Sequence, residues 1–119
     1  MDLEMEWLVR THNRLPADTP VAEREGLRAA ERERALELRA QGVLRKLWRT
    51  PGSAGTVALY ECRDATHLHE ALSSLPMFPW LEVSVEPLAD HPQEAQAAAL
   101  AAARAEALDH PEGHDEQPV

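Results

Sequence analysis

Six patterned segments lie between residues 6 and 87, and their order restricts the topology more than any single motif does. Residues 6–14, EWLVRTHNR, are rich in β-formers and stop at Leu15-Pro16, where proline cannot continue a central strand. Asp18-Thr19-Pro20 has the form of a helix entry, a capping side chain ahead of a proline at the first helical position. Residues 20–41 are mainly Ala, Glu, Arg and Leu, good helix formers, and Gly42 stands where a helix-ending glycine belongs. Residues 43–50, VLRKLWRT, and 56–61, TVALYE, read as strands on either side of a Pro51-Gly52-Ser53 turn. Asp64 is positioned to cap a helix over 65–74, which Pro76 and Pro79 end. Residues 81–87, LEVSVEP, alternate apolar and polar as a half-buried strand does.

The order is β-α-β-β-α-β in about 85 residues, the ferredoxin-like split βαβ unit. The predicted fold class is α+β: a ferredoxin-like sandwich of two helices on an antiparallel sheet, with an Ala-rich C-terminal helix appended. The predicted domain spans residues 1–92. Residues 93–109 favour helix on propensity but carry few large apolar groups to dock it, and the HPEGHDEQPV end is expected to be disordered. Residues 93–119 therefore read as a helical extension and tail. Simple alternation puts Val43 and Leu47 on one face of the second strand and Leu44 and Trp48 on the other. In the first strand it sets Trp7 and Val9 opposite Leu8. Two helices cover one sheet face only, so another subunit is expected on the second, giving a homo-oligomer.

At 119 residues the chain is one domain long. Its 12 Lys and Arg against 21 Asp and Glu leave a formal charge of -9, which argues against nucleic acid or an anionic membrane as partner. Cys62 is the single cysteine, so an intrachain disulfide or paired-thiol site is excluded, and a buried structural thiol is expected. No stretch approaches the ~18 apolar residues of a membrane span. The acidic start, Met1-Asp2-Leu3-Glu4, is unlike a secretory or transit signal, which makes the cytoplasm the expected location. There is no Gly-rich phosphate loop and no GxSxG. His67 and His69 would point about 160° apart on a helix and cannot share one ion, so no metal site is expected.

Glu31 is the leading candidate for chemistry. With Leu27 at zero on a helical wheel, Leu38 falls at about 20°, Arg34 at about -20° and Glu31 at about 40°. Glu31 thus shares the face that should meet the sheet. A carboxylate on an apolar face tends toward a raised pKa, which suits a general base. The alternative is a Glu at the edge of the stripe, reaching solvent or paired with Arg34 or Arg28. Glu33 falls on the far face. Arg49, beside Trp48, offers a planar fork that binds a carboxylate with two parallel hydrogen bonds, or else an inter-strand or inter-subunit ion pair. His12 and Asn13 are polar positions in the first strand, where a histidine could shuttle a proton, or else a polar edge or exposed face.

A spaced set of residues carries a family resemblance. Leu47-Trp48-Arg49-x-x-Gly52, then His69-Glu70-Ala71-Leu72, then Leu75-Pro76-Met77-Phe78-Pro79-Trp80, then Pro87-Leu88 and His91-Pro92, resemble the muconolactone Δ-isomerase family. The strand ending at Leu15-Pro16 and the Ala29-Ala30-Glu31-Arg32-Glu33 segment fit as well, so the likeness runs from residue 5 to 92. The resemblance implies a ferredoxin-like fold, a homo-oligomer (decameric in the family) and no cofactor. It also implies a reaction that moves a proton within an unsaturated lactone, in the β-ketoadipate pathway of aromatic catabolism. It makes Glu31 the acid at the family position and gives Arg49 the carboxymethyl arm of a lactone to hold. The Ser53–Thr56 backbone or the Thr56 hydroxyl would face the enolate oxygen. Trp48, Phe78 and Trp80 become either core and subunit contacts or the walls that dry the substrate pocket, and His69 a structural residue bonded to backbone. The chain departs from the family pattern at Ser53-Ala54-Gly55-Thr56, where bulkier or polar residues are usual. It departs again at Thr11-His12-Asn13 and in the Ala-rich tail. Those departures keep a second reading open: a small-molecule binding module, or a secondary-metabolite isomerase or cyclase, on the same fold.

Overall fold

A computed structural model describes residues 4–109. In chain order the elements are β1 (Met5–Asn13), α1 (Val21–Ala40), β2 (Leu44–Arg49), β3 (Thr56–Cys62), α2 (Ala65–Ser73), a 3₁₀ turn (Phe78–Trp80), β4 (Leu81–Leu88) and α3 (Pro92–Asp109). The strands form one antiparallel sheet in the order β2-β3-β1-β4, the α+β arrangement that the element order predicts. The chain divides into two compact units at Ala89/Asp90. In the second unit His91 opens α3: its carbonyl accepts the Glu94 N–H (2.8 Å) and its ring Nδ1 the Gln93 N–H (3.1 Å). Among the described residues no helix is long and apolar enough to cross a membrane.

Local chemistry explains most of the element ends. Gly42 adopts φ 78°, and the N–H groups of Gly42 and Val43 reach back to the carbonyls of Arg39 (3.0 Å) and Leu38 (2.9 Å). That pair of bonds is a Schellman ending, which needs a left-handed residue at that point. Leu38 and Val43, both buried, supply the accompanying apolar contact. Asp64 caps α2 by accepting the His67 N–H (2.8 Å), while His67 Nδ1 accepts the Arg63 N–H (3.0 Å). The start of α1 differs from the expectation. Pro20 is the cap residue itself, and no side chain caps the helix. Thr19 uses both its N–H (3.1 Å) and its hydroxyl (2.7 Å) on the Pro16 carbonyl, so its oxygen is committed to the preceding turn.

The core lies between α1, α2 and one sheet face, with Val9, Leu38 and Cys62 its most buried side chains. Cys62 is the buried thiol expected. Burial, with the Glu4 charge second, pushes it up to about 11, so it stays protonated and inert. The alternation read for β2 fails. Leu44 pairs with Tyr60 but Lys46 pairs with Leu59, so one extra residue bulges out at Arg45. Beyond the bulge the phase is reversed. Leu44, Leu47 and Arg49 share the helix-covered face with Tyr60, Ala58 and Thr56, while Lys46 and Trp48 join Val57 and Leu59 on the open face. There the Lys46 ammonium lies 5.4 Å from the Trp48 ring centroid. Leu8 of β1 faces the same way, so the open face does carry apolar groups, though not the set that alternation assigns.

Candidate active site

A cavity of about 660 Å³ opens between α1 and the helix-covered face of the sheet. Arg28, Glu31, Arg32 and Ala35 of α1 form its roof. Its floor is laid by alternate residues of the strands: Thr11 and Asn13 of β1, Thr56, Ala58 and Tyr60 of β3, with Leu44, Leu47 and Arg49 brought to the same side by the β2 bulge. Leu75, Met77 and Leu81 close one flank.

Glu31 sits where the helix phase puts it. It is half-buried, and one carboxylate oxygen accepts the backbone N–H of Met77 at 2.9 Å. Burial raises its pKa above the ordinary carboxylate range, and the Met77 bond opposes the rise without cancelling it. Arg34, a partner that spacing allowed, turns away to Glu37 (2.8 Å) and Ser74 (2.9 Å). Glu33 is exposed, as its wheel position requires.

Arg49 is anchored by the hairpin that follows it. One guanidinium nitrogen donates to the Ala54 carbonyl (2.6 Å), with the Gly55 carbonyl at 3.5 Å. A guanidinium has five N–H donors, so this anchoring leaves others for a ligand. The small residues of the hairpin serve its tight internal bonding. Gly52 takes φ 74° in a turn closed by Ser53 N–H to the Thr50 carbonyl (3.2 Å). Ser53 Oγ accepts the Gly55 N–H (2.7 Å) and the Thr50 hydroxyl (3.0 Å). A Cβ on Gly55 would lie 3.1 Å from both of those hydroxyl oxygens.

Of the residues singled out from sequence, Glu31, Arg49 and Thr56 meet in this cavity. Asn13 lines it too, and the sheet separates His12 and Trp48 from it. His12 and Trp48 project from the open face. His12 lines a smaller hollow of about 280 Å³ there, with Arg10, Glu82 and Ser84. Phe78 packs edge-on against His69, ring centroids 6.1 Å apart, so His69 is an aromatic neighbour where a backbone bond was expected. Trp80 belongs to the 3₁₀ turn, and its carbonyl accepts the Arg14 N–H (2.8 Å). The Leu75–Trp80 block enters the cavity through Leu75 and Met77. Among the described residues no three His, Cys, Asp or Glu side chains gather as a metal site needs.

Sequence reasoning passed over Tyr60; it singled out Asn13 only as a polar position of the first strand, and Arg32 and Met77 only within motifs. For Tyr60 a signal existed: the two-residue period of β3 puts it on the side of Thr56 and Ala58. Its phenol is pushed up to about 12, first by burial and then by the Glu31 charge, so it remains a neutral donor. In a chain of charge -9, three arginines and one glutamate line this cavity, which favours an anionic ligand.

Comparison with known proteins identifies the family. A family model described as muconolactone delta-isomerase matches residues 5–94. The muconolactone Delta-isomerase of Cupriavidus pinatubonensis is 35% identical over 88 residues, covering 74% of this chain and 96% of the relative. That of Pseudomonas aeruginosa is 33% identical over 84 residues, 71% of this chain and 88% of its own. A crystal structure of muconolactone isomerase matches with a TM-score of 0.70 at 33% identity, over 74% of this chain and 92% of that one. The family match across the whole sheet-bearing unit, with relatives alike over nearly their full length, makes this chain an isomerase that belongs to the muconolactone Δ-isomerase family.

Proposed function

We propose that the chain moves a proton within an unsaturated lactone bearing a carboxymethyl arm, muconolactone by family, without a cofactor, and that Glu31 carries the proton. The supporting observation is a half-buried carboxylate of raised pKa over a cavity whose other charged lining groups are arginines. The γ C–H of such a lactone is acidic because the resulting anion spreads over the ring and the carbonyl oxygen. Glu31 takes the γ proton, the C–H electron pair enters the ring, and the same carboxyl returns the proton at the α carbon. Nothing is oxidised or reduced, so two proton transfers and their electrostatic support are all the chemistry required. A carboxylate above its usual pKa lies closer to the carbon acid and transfers more readily in both directions. Arg49, with Arg28 and Arg32 beside Glu31, would bind the carboxymethyl arm, and the Met77 N–H would hold the base in place.

The product would enter the β-ketoadipate pathway. A homo-oligomer is part of the same reading, since Trp48 is 43% exposed and shares the open sheet face with Leu8, Val57 and Leu59. Light scattering at micromolar concentration should find an assembly well above the 13.2 kDa of one chain. The decisive experiment is incubation with muconolactone in D₂O, followed by NMR. Isomerisation is expected, with deuterium at the α carbon to the extent that the Glu31 carboxyl exchanges its proton with solvent before returning it. Unchanged substrate without exchange at the γ position would refute the proposal.

A further inference from the structure

We propose that the Tyr60 hydroxyl is the hydrogen-bond donor to the lactone oxygen on which negative charge develops. This rests on the reaction proposed above and gives Tyr60 the role that the sequence reading gave to the Ser53–Thr56 backbone or the Thr56 hydroxyl. Proton removal from the γ carbon leaves an enolate oxygen, and a preorganised donor is needed for it. The backbone of the 53–55 hairpin is poorly suited to supply it, and the Thr56 hydroxyl lies at the Arg49 end of the cavity, where the acid arm would be held. The Ser53 N–H bonds the Thr50 carbonyl, the Gly55 N–H bonds Ser53 Oγ, and the Ala54 and Gly55 carbonyls face Arg49. Tyr60 is only 4% exposed yet lines the cavity, and among the described residues no hydrogen bond engages its hydroxyl. It stays protonated across any working pH, because burial and the Glu31 charge push its phenol up to about 12.

Placement adds to this. Thr56 pairs with Arg49 and Tyr60 with Leu44, so four residues of β3, about 13 Å of strand, separate the arginine end from the phenol end. Exposure falls along that line, from Arg49 at the surface to Ala58 and Tyr60 in the core. Ala58, between them, contributes only a methyl group and leaves the floor open. In an unsaturated γ-lactone the ring oxygen lies between the carbonyl carbon and the arm-bearing carbon. The carbonyl oxygen and the acid arm therefore point to opposite sides of the ring. An arm held at Arg49 turns the carbonyl inward toward Tyr60, beneath Glu31. Tyr60 keeps its proton throughout: Glu31 takes and returns the migrating one, while the phenol O–H strengthens its bond as charge arrives on the oxygen.

The test is Tyr60→Phe, which removes one oxygen and keeps the buried ring. Turnover of muconolactone should fall about 10²-fold or more, as for loss of a single oxyanion donor. KM should change far less, and the acid limb of the pH profile should stay where Glu31 sets it. A variant within threefold of wild-type turnover would overturn the assignment. A binding readout separates this from the reaction itself. The probe is 3-hydroxyphenylacetate, which offers a phenol oxygen and an acid arm, with phenylacetate as the comparison lacking the oxygen. Wild type should prefer the former, and Tyr60→Phe should lose that preference while binding phenylacetate as before. Tyr60 is the only tyrosine, so ¹³Cζ-tyrosine labelling gives one signal, which should move with 3-hydroxyphenylacetate and much less with phenylacetate. No preference in the wild type, or an unmoved signal, refutes the role of Tyr60 even if muconolactone is isomerised. Failure to isomerise muconolactone, with the preference and the signal shift intact, refutes the substrate and leaves Tyr60 as the donor.

Discussion

Replacing Glu31 by Gln should do two opposite things, and the structure gives the sign of each. The amide has nearly the volume of the carboxyl and keeps an oxygen that can accept the Met77 N–H, now at 2.9 Å. The negative charge and the ability to take a proton are both lost. A positioned general base contributes ~10²–10⁴ in rate. At about 1.36 kcal/mol per tenfold, that is a barrier increase of roughly 3–5 kcal/mol. The loss should appear in kcat and kcat/KM alike, because the proton moves in the transition state. Stability should change the other way. Burial is the larger influence on Glu31 and the Met77 bond the smaller, so the folded pKa is raised above the unfolded one. Between those two values the folded chain binds more protons, and its stability falls as pH rises through that window. Wild type therefore carries a destabilising charge at neutral pH that Gln lacks, whereas below the ordinary carboxylate range both side chains are neutral. Thermal melts at pH 8 and pH 4 test this. The variant should melt higher at pH 8 and nearly level with wild type at pH 4, each 1 kcal/mol of relief reading as ~4–8 °C in a domain of this size. Retained turnover would remove Glu31 as the base. A variant that melts lower at pH 8 would show that the charged Met77 bond outweighs burial.

Three other outcomes are expected. The acid limb of kcat/KM should lie above the ordinary carboxylate range, because the base must be ionised and its pKa is raised; a limb near pH 4 would contradict the burial of Glu31. Arg49→Lys keeps the charge but loses the planar fork that reaches both the Ala54 carbonyl and a ligand carboxylate, so KM should rise well beyond any fall in kcat. Gly42→Ala forces a Cβ into φ 78° at the Schellman ending and should cost about 1 kcal/mol or more, a melting decrease of several degrees with activity at 25 °C unchanged.

What the sequence by itself determined is whatever depends on neighbours within a few residues. The strand and helix periods, the glycine that ends α1, the Asp64 cap and the Pro51-Gly52 turn are consequences of local dihedral and hydrogen-bond preferences. The element order then leaves the ferredoxin-like sheet as the simple solution. Even Glu31 was legible, because helix phase alone sets it on the face with Leu27 and Leu38. The start of α1 was misread for an equally local reason, since Thr19 had two possible uses for its hydroxyl and took the turn.

The site needed more. Glu31 takes its hydrogen bond from Met77, 46 residues away, a contact that no spacing along the chain encodes. One bulged residue at Arg45 reversed the phase of β2, carrying Arg49 and Leu47 into the cavity and Trp48 out of it. Pairing register likewise put His12 on the far side of the sheet and Tyr60 under Glu31. A strand's alternation shows which residues share a face, but the pairing of strands and the packing of α1 decide which face becomes the cavity. That choice depends on the joint burial of side chains distant in sequence, so tertiary structure alone brought carboxylate, arginine and phenol to one place.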